Sequence, residues 1–290
     1  MIDRKGRRRL ITLAEGGVVH THTGVLPHAD MIGAPEGTDM KTAGGAAYLV
    51  IRPTLADYVL SMGRTATPIY PKDLGAIITY ADIYPGATVV EGGTGSGALA
   101  MALLRAAGER GKVISYDIRP EFAAKAVQSV HAFASLELAA RLETREGNLY
   151  EPIEDRNVDR MVLDVPEPWL AVPNAEAALR LGGIFACFLP TTIQLHHIAR
   201  TLDESDAFGM IEQFEIMFRP WDSGPMTMRP AHRMVAHTGF VTVARRLPAG
   251  GRVKGGLPVD GDPLESEAEA ADAFRDGVQG DLAEGEPEGR

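Results

Sequence analysis

The sequence predicts an α/β protein in which a doubly wound sheet domain follows a small β-rich domain. Three observations lead there. From Asp73 onward short apolar strands alternate with helix-patterned segments, which implies a mainly parallel sheet with helices on both faces. A glycine-rich run, Glu91-Gly92-Gly93-Thr94-Gly95-Ser96-Gly97, joins the first of those strands to a helix. Before residue 52 the chain has only short β-type runs broken by Gly, Pro and Asp turns.

The elements follow in order. Residues 10–51 read as short strands, among them Gly17-Val18-Val19 and Ala47-Tyr48-Leu49-Val50-Ile51. Arg52-Pro53-Thr54 opens a short helix through Met62, and a linker with Pro68 and Pro71 follows. Residues 74–83 carry apolar side chains at helical spacing. Strands are predicted at 87–91, 112–117, 142–146, 160–163 and 184–189. Helices are predicted at 97–107, 120–133, 174–181 and 191–205, the second opening on Pro120, which suits a first helical turn. Two late strands, at 211–219 and 239–245, close the domain. Beyond Pro248 periodicity is lost and Gly, Pro, Asp, Glu and Ala dominate. The predicted domains are a β-rich unit at 1–65, the doubly wound unit at 66–248, and a disordered acidic tail at 249–290.

Composition narrows the function classes. No apolar stretch approaches the roughly 20 residues that span a bilayer. The N-terminus is basic but lacks the apolar run of a signal peptide. Cys187 is the one cysteine, which excludes an intrachain disulfide and disfavours a cysteine-based zinc site. These features favour the cytoplasm. The net charge of −10 argues against a nucleic-acid partner until its distribution is read. Residues 249–290 hold 11 acidic and 4 basic side chains, so −7 of the −10 lies there and the body is nearly balanced.

Glycines in the 91–97 run let the backbone turn sharply and let a ligand approach the main chain. Asp117 ends the next strand, where a carboxylate accepts hydrogen bonds from ribose hydroxyls. Two cofactors fit this outline. Gly93-x-Gly95-x-x-Ala98 satisfies the relaxed dinucleotide pattern, a weak signal alone. Two observations favour S-adenosyl-L-methionine. Glu91 would repel dinucleotide phosphates but suits a ligand with a cationic amino group. The fourth strand ends in Asp164-Val165-Pro166-Glu167-Pro168-Trp169, an acidic residue, prolines and an aromatic, as at the substrate end of base-modifying methyltransferases. Glu91, Asp117, Asn148 and Asp164 all fall at carboxyl ends of strands, where ligands of such sheets bind.

With those residues placed, the chain resembles the tRNA (adenine-58-N1)-methyltransferases, especially actinobacterial and archaeal forms, over residues 10–247. The resemblance is carried by Arg52-Pro53-Thr54-Leu55-Ala56-Asp57-Tyr58-Val59-Leu60, Ile69-Tyr70-Pro71-Lys72-Asp73, the glycine loop, residues 164–169, and Arg229-Pro230-Ala231-His232 with His237-Thr238-Gly239-Phe240. It implies a class I S-adenosylmethionine-dependent methyltransferase (Rossmann-like) domain, tRNA as substrate and a homotetramer. By position, Gly93, Thr94, Gly95, Ser96, Gly97, Ala98 and Leu99 would cradle the methionine part of the cofactor. Asp117 would hold its ribose, Asn148 would lie beside its adenine, and Glu91, Phe122 and Asp164 would join the cofactor site. Asp164 would be the catalytic carboxylate and Tyr70 would flank the target base. Phe188 stands where many relatives carry a tyrosine, so a hydroxyl contact to the base is lost while stacking survives.

Other residues have plainer readings. Asp73 reads as the N-cap of the following helix, and Tyr70 also fits as a packed linker aromatic. His20, His22 and His28 lack the partners of a metal site, and none is expected. His196 and His197 are adjacent on a helix and point to different faces. The arginines at 4 and 7–9 have two readings, contact with tRNA and, preferred, a solvated, disordered arm. Three other functions stay open: methylation of another RNA position, a protein or a small molecule on this scaffold, a non-catalytic tRNA-binding subunit, and a dehydrogenase.

Overall fold

The computed structural model describes residues 1–62 and 67–251. At the N-terminus, β1 (Ile2–Asp3), β2 (Val18–Thr21), β3 (Gly24–Pro27), β4 (Thr38–Lys41) and β5 (Ala47–Val50) form two small antiparallel sheets, a β2–β3 hairpin and the order β1-β5-β4. Val19, Leu26, Met31 and Tyr48 make their shared core. The basic arm predicted to be disordered is instead anchored. Ile2 bridges Arg8, β1 pairs with β5, and Arg8 forms an ion pair with Asp57. Asp57 lies in α1 (Leu55–Ser61), which opens on a capping box between Thr54 and Asp57.

The large sheet is built from β6 (Thr88–Gly92), β7 (Lys112–Asp117), β8 (Leu142–Glu146), β9 (Val158–Leu163), β10 (Leu179–Leu189), β11 (Phe208–Glu215) and β14 (Phe240–Arg246). Their order is β11-β14-β10-β9-β6-β7-β8. All neighbours from β8 to β10 are parallel, and β14 runs antiparallel to β10 and β11. The helices are α2 (Pro71–Tyr80), α3 (Ala98–Ala107), α4 (Pro120–Phe133), α5 (Leu136–Ala139), α6 (Val172–Ala178) and α7 (Thr192–Glu204). Strand alternation sorts the core into two layers. Val89, Val113 and Val162 pack with α2 and α3, while Val90, Ile114 and Met161 pack with α6 and α7. The chain leaves β6 for β7 on one side and comes back to β9 on the other. This reversal opens a crevice at the carboxyl ends of β6 and β9.

Several expectations need correction. Residues 179–181, expected in a helix, belong to β10: Leu179 is buried and pairs with Val158, and the register shifts between Leu179 and Ile184 around the positive-φ Gly182. Pro71 is not linker but sits in the first turn of α2. The strand expected at 211–219 runs over Phe208–Glu215, and the chain then leaves the sheet for an unforeseen hairpin, β12 (Trp221–Gly224) with β13 (Thr227–Pro230). The predicted domain boundary near 65 and nearly all of the predicted tail lie outside the described residues. No helix among the described residues is long and apolar enough to cross a membrane.

Arg160 joins α2 to the sheet. It is 2% exposed and donates to the carbonyls of Ala81 (2.6 Å), Asp82 (3.0 Å) and Asp159 (2.8 Å) and to the Asp82 carboxylate (2.6 Å). Arg160→Met would leave buried carbonyls unpaired, a loss of about 3 kcal/mol. Urea unfolding checks this, and a wild-type midpoint in the variant refutes it.

Candidate active site

The glycine loop leaves β6 and enters α3 through backbone that only glycine adopts easily. Gly93 has φ +83°, and a Cβ there would lie 2.1 Å from the Asp164 carbonyl oxygen. Gly97, the N-cap of α3, has φ +81° and lies against Ala126, so loop and helix pack closely. Gly93 N–H donates to the Tyr116 carbonyl (2.9 Å) and Asp164 N–H to the Gly92 carbonyl (2.8 Å), which extends the sheet's bonding into the loop. Thr94 and Ser115 share a buried hydroxyl–hydroxyl bond of 2.7 Å.

Gly93, Thr94, Gly95, Ser96, Ala98, Leu99 and Asp164 line one cleft together with Thr67, Ile69 and Arg119. Asp117 does not line it but is tied to two residues that do: Oδ2 accepts from Gly95 N–H (3.2 Å), and Oδ1 accepts from Arg119 N–H (3.0 Å) and Nε (3.3 Å). Arg119 was not foreseen. Its guanidinium carbon stands 3.9 Å from the centre of the Phe122 ring, and nothing in the sequence except its place after Asp117 marks it. Phe122 lines an adjoining hollow with Gly95, Ser96 and Lys125. Asn148 is not among the cleft-lining residues; it is exposed, and its Oδ1 accepts from Tyr150 N–H (3.0 Å).

Glu91 lies wholly inside the protein behind the loop, and neither carboxylate oxygen has a hydrogen-bond partner among the described residues. An orphaned buried carboxylate is costly unless it is neutral or meets a cation. Burial pushes Glu91 up to about 8; the Ser115 hydroxyl and the Ala100 N–H, near it without hydrogen-bond geometry, hold it down in part, while the charges of Asp164 and Asp117 add to the rise. Burial likewise pushes Asp164 up to about 7. Asp164 thus lines a cleft whose backbone has no room for a side chain at Gly93, and the buried Glu91 lies near enough to feel the charges of Asp164 and Asp117. The donor set fits a ligand with a cationic amino group and ribose hydroxyls. It does not fit a pyrophosphate, which offers these carboxyl groups no cation and would be repelled once they ionise.

Tyr70 is the N-cap residue of α2, 37% exposed and next to cleft-lining Ile69. Asp73 is therefore not the N-cap but the third helical residue, and it is completely buried. Its Oδ1 accepts from Lys72 Nζ (2.7 Å) and its Oδ2 from the Thr238 hydroxyl (2.6 Å), while Lys72 Nζ also donates to the Ile216 carbonyl (2.6 Å). Beside this cluster, His237 bridges the Glu215 carboxylate (Nδ1, 2.6 Å) and the Pro190 carbonyl (Nε2, 2.9 Å). Both partners are acceptors, so the doubly protonated ring suits the site. The Pro190 carbonyl, then Glu215, raises the His237 pKa. Gly239 follows, and a Cβ there would strike the Phe188 ring at 2.4 Å. The distant segments 70–73 and 237–239 thus form one cluster beside the cleft. No group of three or more His, Cys, Asp or Glu side chains among the described residues is placed to hold a metal ion.

Two family models match the chain. The family described as tRNA methyltransferase complex GCD14 subunit matches residues 46–232, and a TrmI-like N-terminal family matches residues 1–38. The chain is 39% identical to the tRNA (adenine(58)-N(1))-methyltransferase TrmI of Thermus thermophilus, over 85% of this chain and 96% of that one. It is 36% identical to the tRNA (adenine(57)-N(1)/adenine(58)-N(1))-methyltransferase TrmI of Methanocaldococcus jannaschii, over 86% and 94%. Among solved structures, a SAM-dependent O-methyltransferase from Thermotoga maritima aligns with a TM-score of 0.79 at 32% identity, over 85% and 91%. The tRNA (m1A58) methyltransferase TrmI from Aquifex aeolicus aligns with a TM-score of 0.68 at 28% identity, over 80% and 90%.

The buried Glu91 carboxyl has a pH consequence. Its folded-state value lies above the ordinary 4.5, so the ligand-free fold keeps this proton until about pH 8. The unfolded chain releases it first, and stability falls as pH rises through that window. Glu91→Gln should therefore gain on wild type between pH 5 and pH 8, by on the order of 2–4 kcal/mol. Thermal unfolding without cofactor reads this; parallel pH profiles for the two proteins refute it.

Proposed function

The chain belongs to the GCD14 family of tRNA methyltransferase complex subunits, and from that premise we propose how its cleft carries out methyl transfer to N1 of adenine 58 in the T-loop of tRNA. The cofactor is S-adenosyl-L-methionine, which supplies a methyl group activated on a sulfonium. Residues 93–99 would hold its methionine part and Asp117 its ribose, and Asn148 and Phe122, which lie outside the cleft itself, would serve its adenine. Glu91 lies behind this site as the counter-charge to the amino group. The orphaned Glu91 carboxylate is the observation that best supports this cofactor over a dinucleotide.

Neutral adenine offers an in-plane lone pair at N1, so the target needs no base to become a nucleophile. What it needs is alignment. Asp164, once ionised, accepts a hydrogen bond from the exocyclic amine and faces the positive charge that develops on the ring. The base must first be extruded from the tRNA. Tyr70 then flanks it and Phe188 stacks on it, each worth about 1–3 kcal/mol. An oxygen acceptor, as in the name of the Thermotoga structure, would need a proton removed, and Asp164 is the group placed to do so.

The reading includes a cytoplasmic homotetramer. Met217, Phe218, Trp221, Met226 and Met228 lie on or beside the β12–β13 hairpin with exposures from 57% to 95%. An arm this apolar is normally covered by another surface. Mass photometry should find four copies; a monomer at micromolar concentration refutes the assembly.

Asp164→Ala should keep cofactor affinity within a few-fold and cut turnover by 100-fold or more, about 3 kcal/mol. Mass-spectrometric mapping of 1-methyladenosine in treated tRNA gives the readout. Near-normal turnover would remove Asp164 from the mechanism, and methyl incorporation at an oxygen would overturn the acceptor. The active form of Asp164 is the ionised one, so kcat/KM should fall as pH drops below about 7.

A further inference from the structure

The N-terminal sheets enclose a second hollow whose chemistry methyl transfer does not use. Arg7, Arg8, Arg9, His20 and His22 line it, together with one carboxylate, Asp3, which pairs with Arg7. Basic side chains outnumber acidic ones five to two within residues 1–22, in a chain of net charge −10. The guanidinium groups are held in place. Arg7 Nε bonds Asp3, Arg8 Nη1 bonds Asp57, and Arg9 Nη1 donates to the His20 carbonyl at 2.9 Å. Each of these contacts engages one of five guanidinium donors. The side chains of Arg7 and Arg8 stay 67% and 71% exposed despite their pairing. His20 and His22 are exposed as well.

This hollow adjoins the methyl-transfer site along the chain. Leu10, directly after Arg9, lines the hollow that also contains Ser96 of the glycine loop, Phe122 and Lys125. A ligand lying across residues 7–10 therefore reaches the edge of the cofactor loop. The lining is polar and cationic, which disfavours an apolar peptide. Planar, fixed guanidinium forks match phosphate oxygens, and several at short spacing match a polyanion better than a single ion.

We propose that this hollow binds the sugar-phosphate backbone of the tRNA whose adenine enters the cleft, with Arg7 and Arg9 as the principal phosphate contacts. The proposal rests on the tRNA methyltransferase reading. Arg8 is assigned mainly to its pair with Asp57, which ties the arm to α1. The hollow carries no base-edge recognition of its own, so it contributes affinity and orientation, and sequence choice falls to the cleft.

The test compares full-length wild type with Arg7→Gln/Arg9→Gln, the charge-retaining Arg7→Lys/Arg9→Lys, and Arg110→Gln. Arg110 precedes β7, at the sheet end away from the site, and controls for net charge. Binding of an unmodified tRNA transcript is followed by fluorescence anisotropy across a salt series, beside steady-state kinetics. The double Gln variant should bind roughly 10-fold more weakly, with a salt slope lower by about 1–2. Its KM for tRNA should rise while kcat and cofactor affinity stay at wild-type values. The Lys variant should recover most of the slope, and Arg110→Gln should match wild type. Wild-type affinity in the double Gln variant overturns the site alone, as does an equal loss in Arg110→Gln. Wild-type enzyme that leaves tRNA unmethylated overturns the function and the site with it.

Discussion

The approach of Gly93 to the Asp164 carbonyl is the contact on which the rest of the site depends. The glycine loop must turn back over the end of β9, and a Cβ at 2.1 Å from that oxygen leaves no alternative residue at Gly93. Because Asp164 N–H donates to Gly92 and Gly93 N–H to Tyr116, the loop continues the sheet instead of hanging from it. A cleft built this way starts rigid. Its backbone is set by parallel strands whose neighbours are buried on both faces, so cofactor contacts made by main chain need no reordering on binding.

Rigidity fixes the electrostatics too. Glu91, Asp117 and Asp164 end or nearly end three adjacent strands, and the register of β6 with β7 and β9 gives them no means of moving apart. Their convergence is unfavourable in the ligand-free protein, where burial drives Glu91 and Asp164 toward the neutral form. A cationic ligand relieves that cost. Groups held neutral in the free protein would ionise against such a ligand, whereas a phosphate-bearing cofactor offers them no cation and would leave the cost in place.

Most of the doubly wound sheet was legible because its strands and helices carry their own periodicity. Lys112–Asp117, Pro120–Phe133 and Leu142–Glu146 needed no tertiary information. The losses came where tertiary contacts overrule local pattern. Leu179 looks helical in its own segment but pairs with Val158, a partner remote in sequence. Asp73 has the residue type of a cap, yet its carboxylate is claimed by Lys72 and by Thr238, which is 165 positions away. The arginines at 7–9 look like a free arm because Asp57 and the β5 backbone, which anchor the arm, are distant in the chain. In the cleft, the glycines and Asp164 announced themselves by type and position, whereas Arg119 did not, since one more exposed arginine after a strand has no distinguishing mark.

The cluster formed by segments 70–73 and 237–239 explains why residues so far from the glycine loop carry the family resemblance. Lys72 and Asp73 sit in the first turn of α2, directly after Tyr70, and their bonds to Ile216 and Thr238 fix that turn against the β11–β14 edge. On the same edge His237 ties Pro190 to Glu215, and Gly239 admits the Phe188 ring at the end of β10. Tyr70 and Phe188 thus depend on one hydrogen-bonded cluster, although neither belongs to it. A phenylalanine at 188 keeps the packing against Gly239 that a tyrosine would make and gives up only the hydroxyl. The ring packs into the space at Gly239, so losing the hydroxyl leaves the ring where it was.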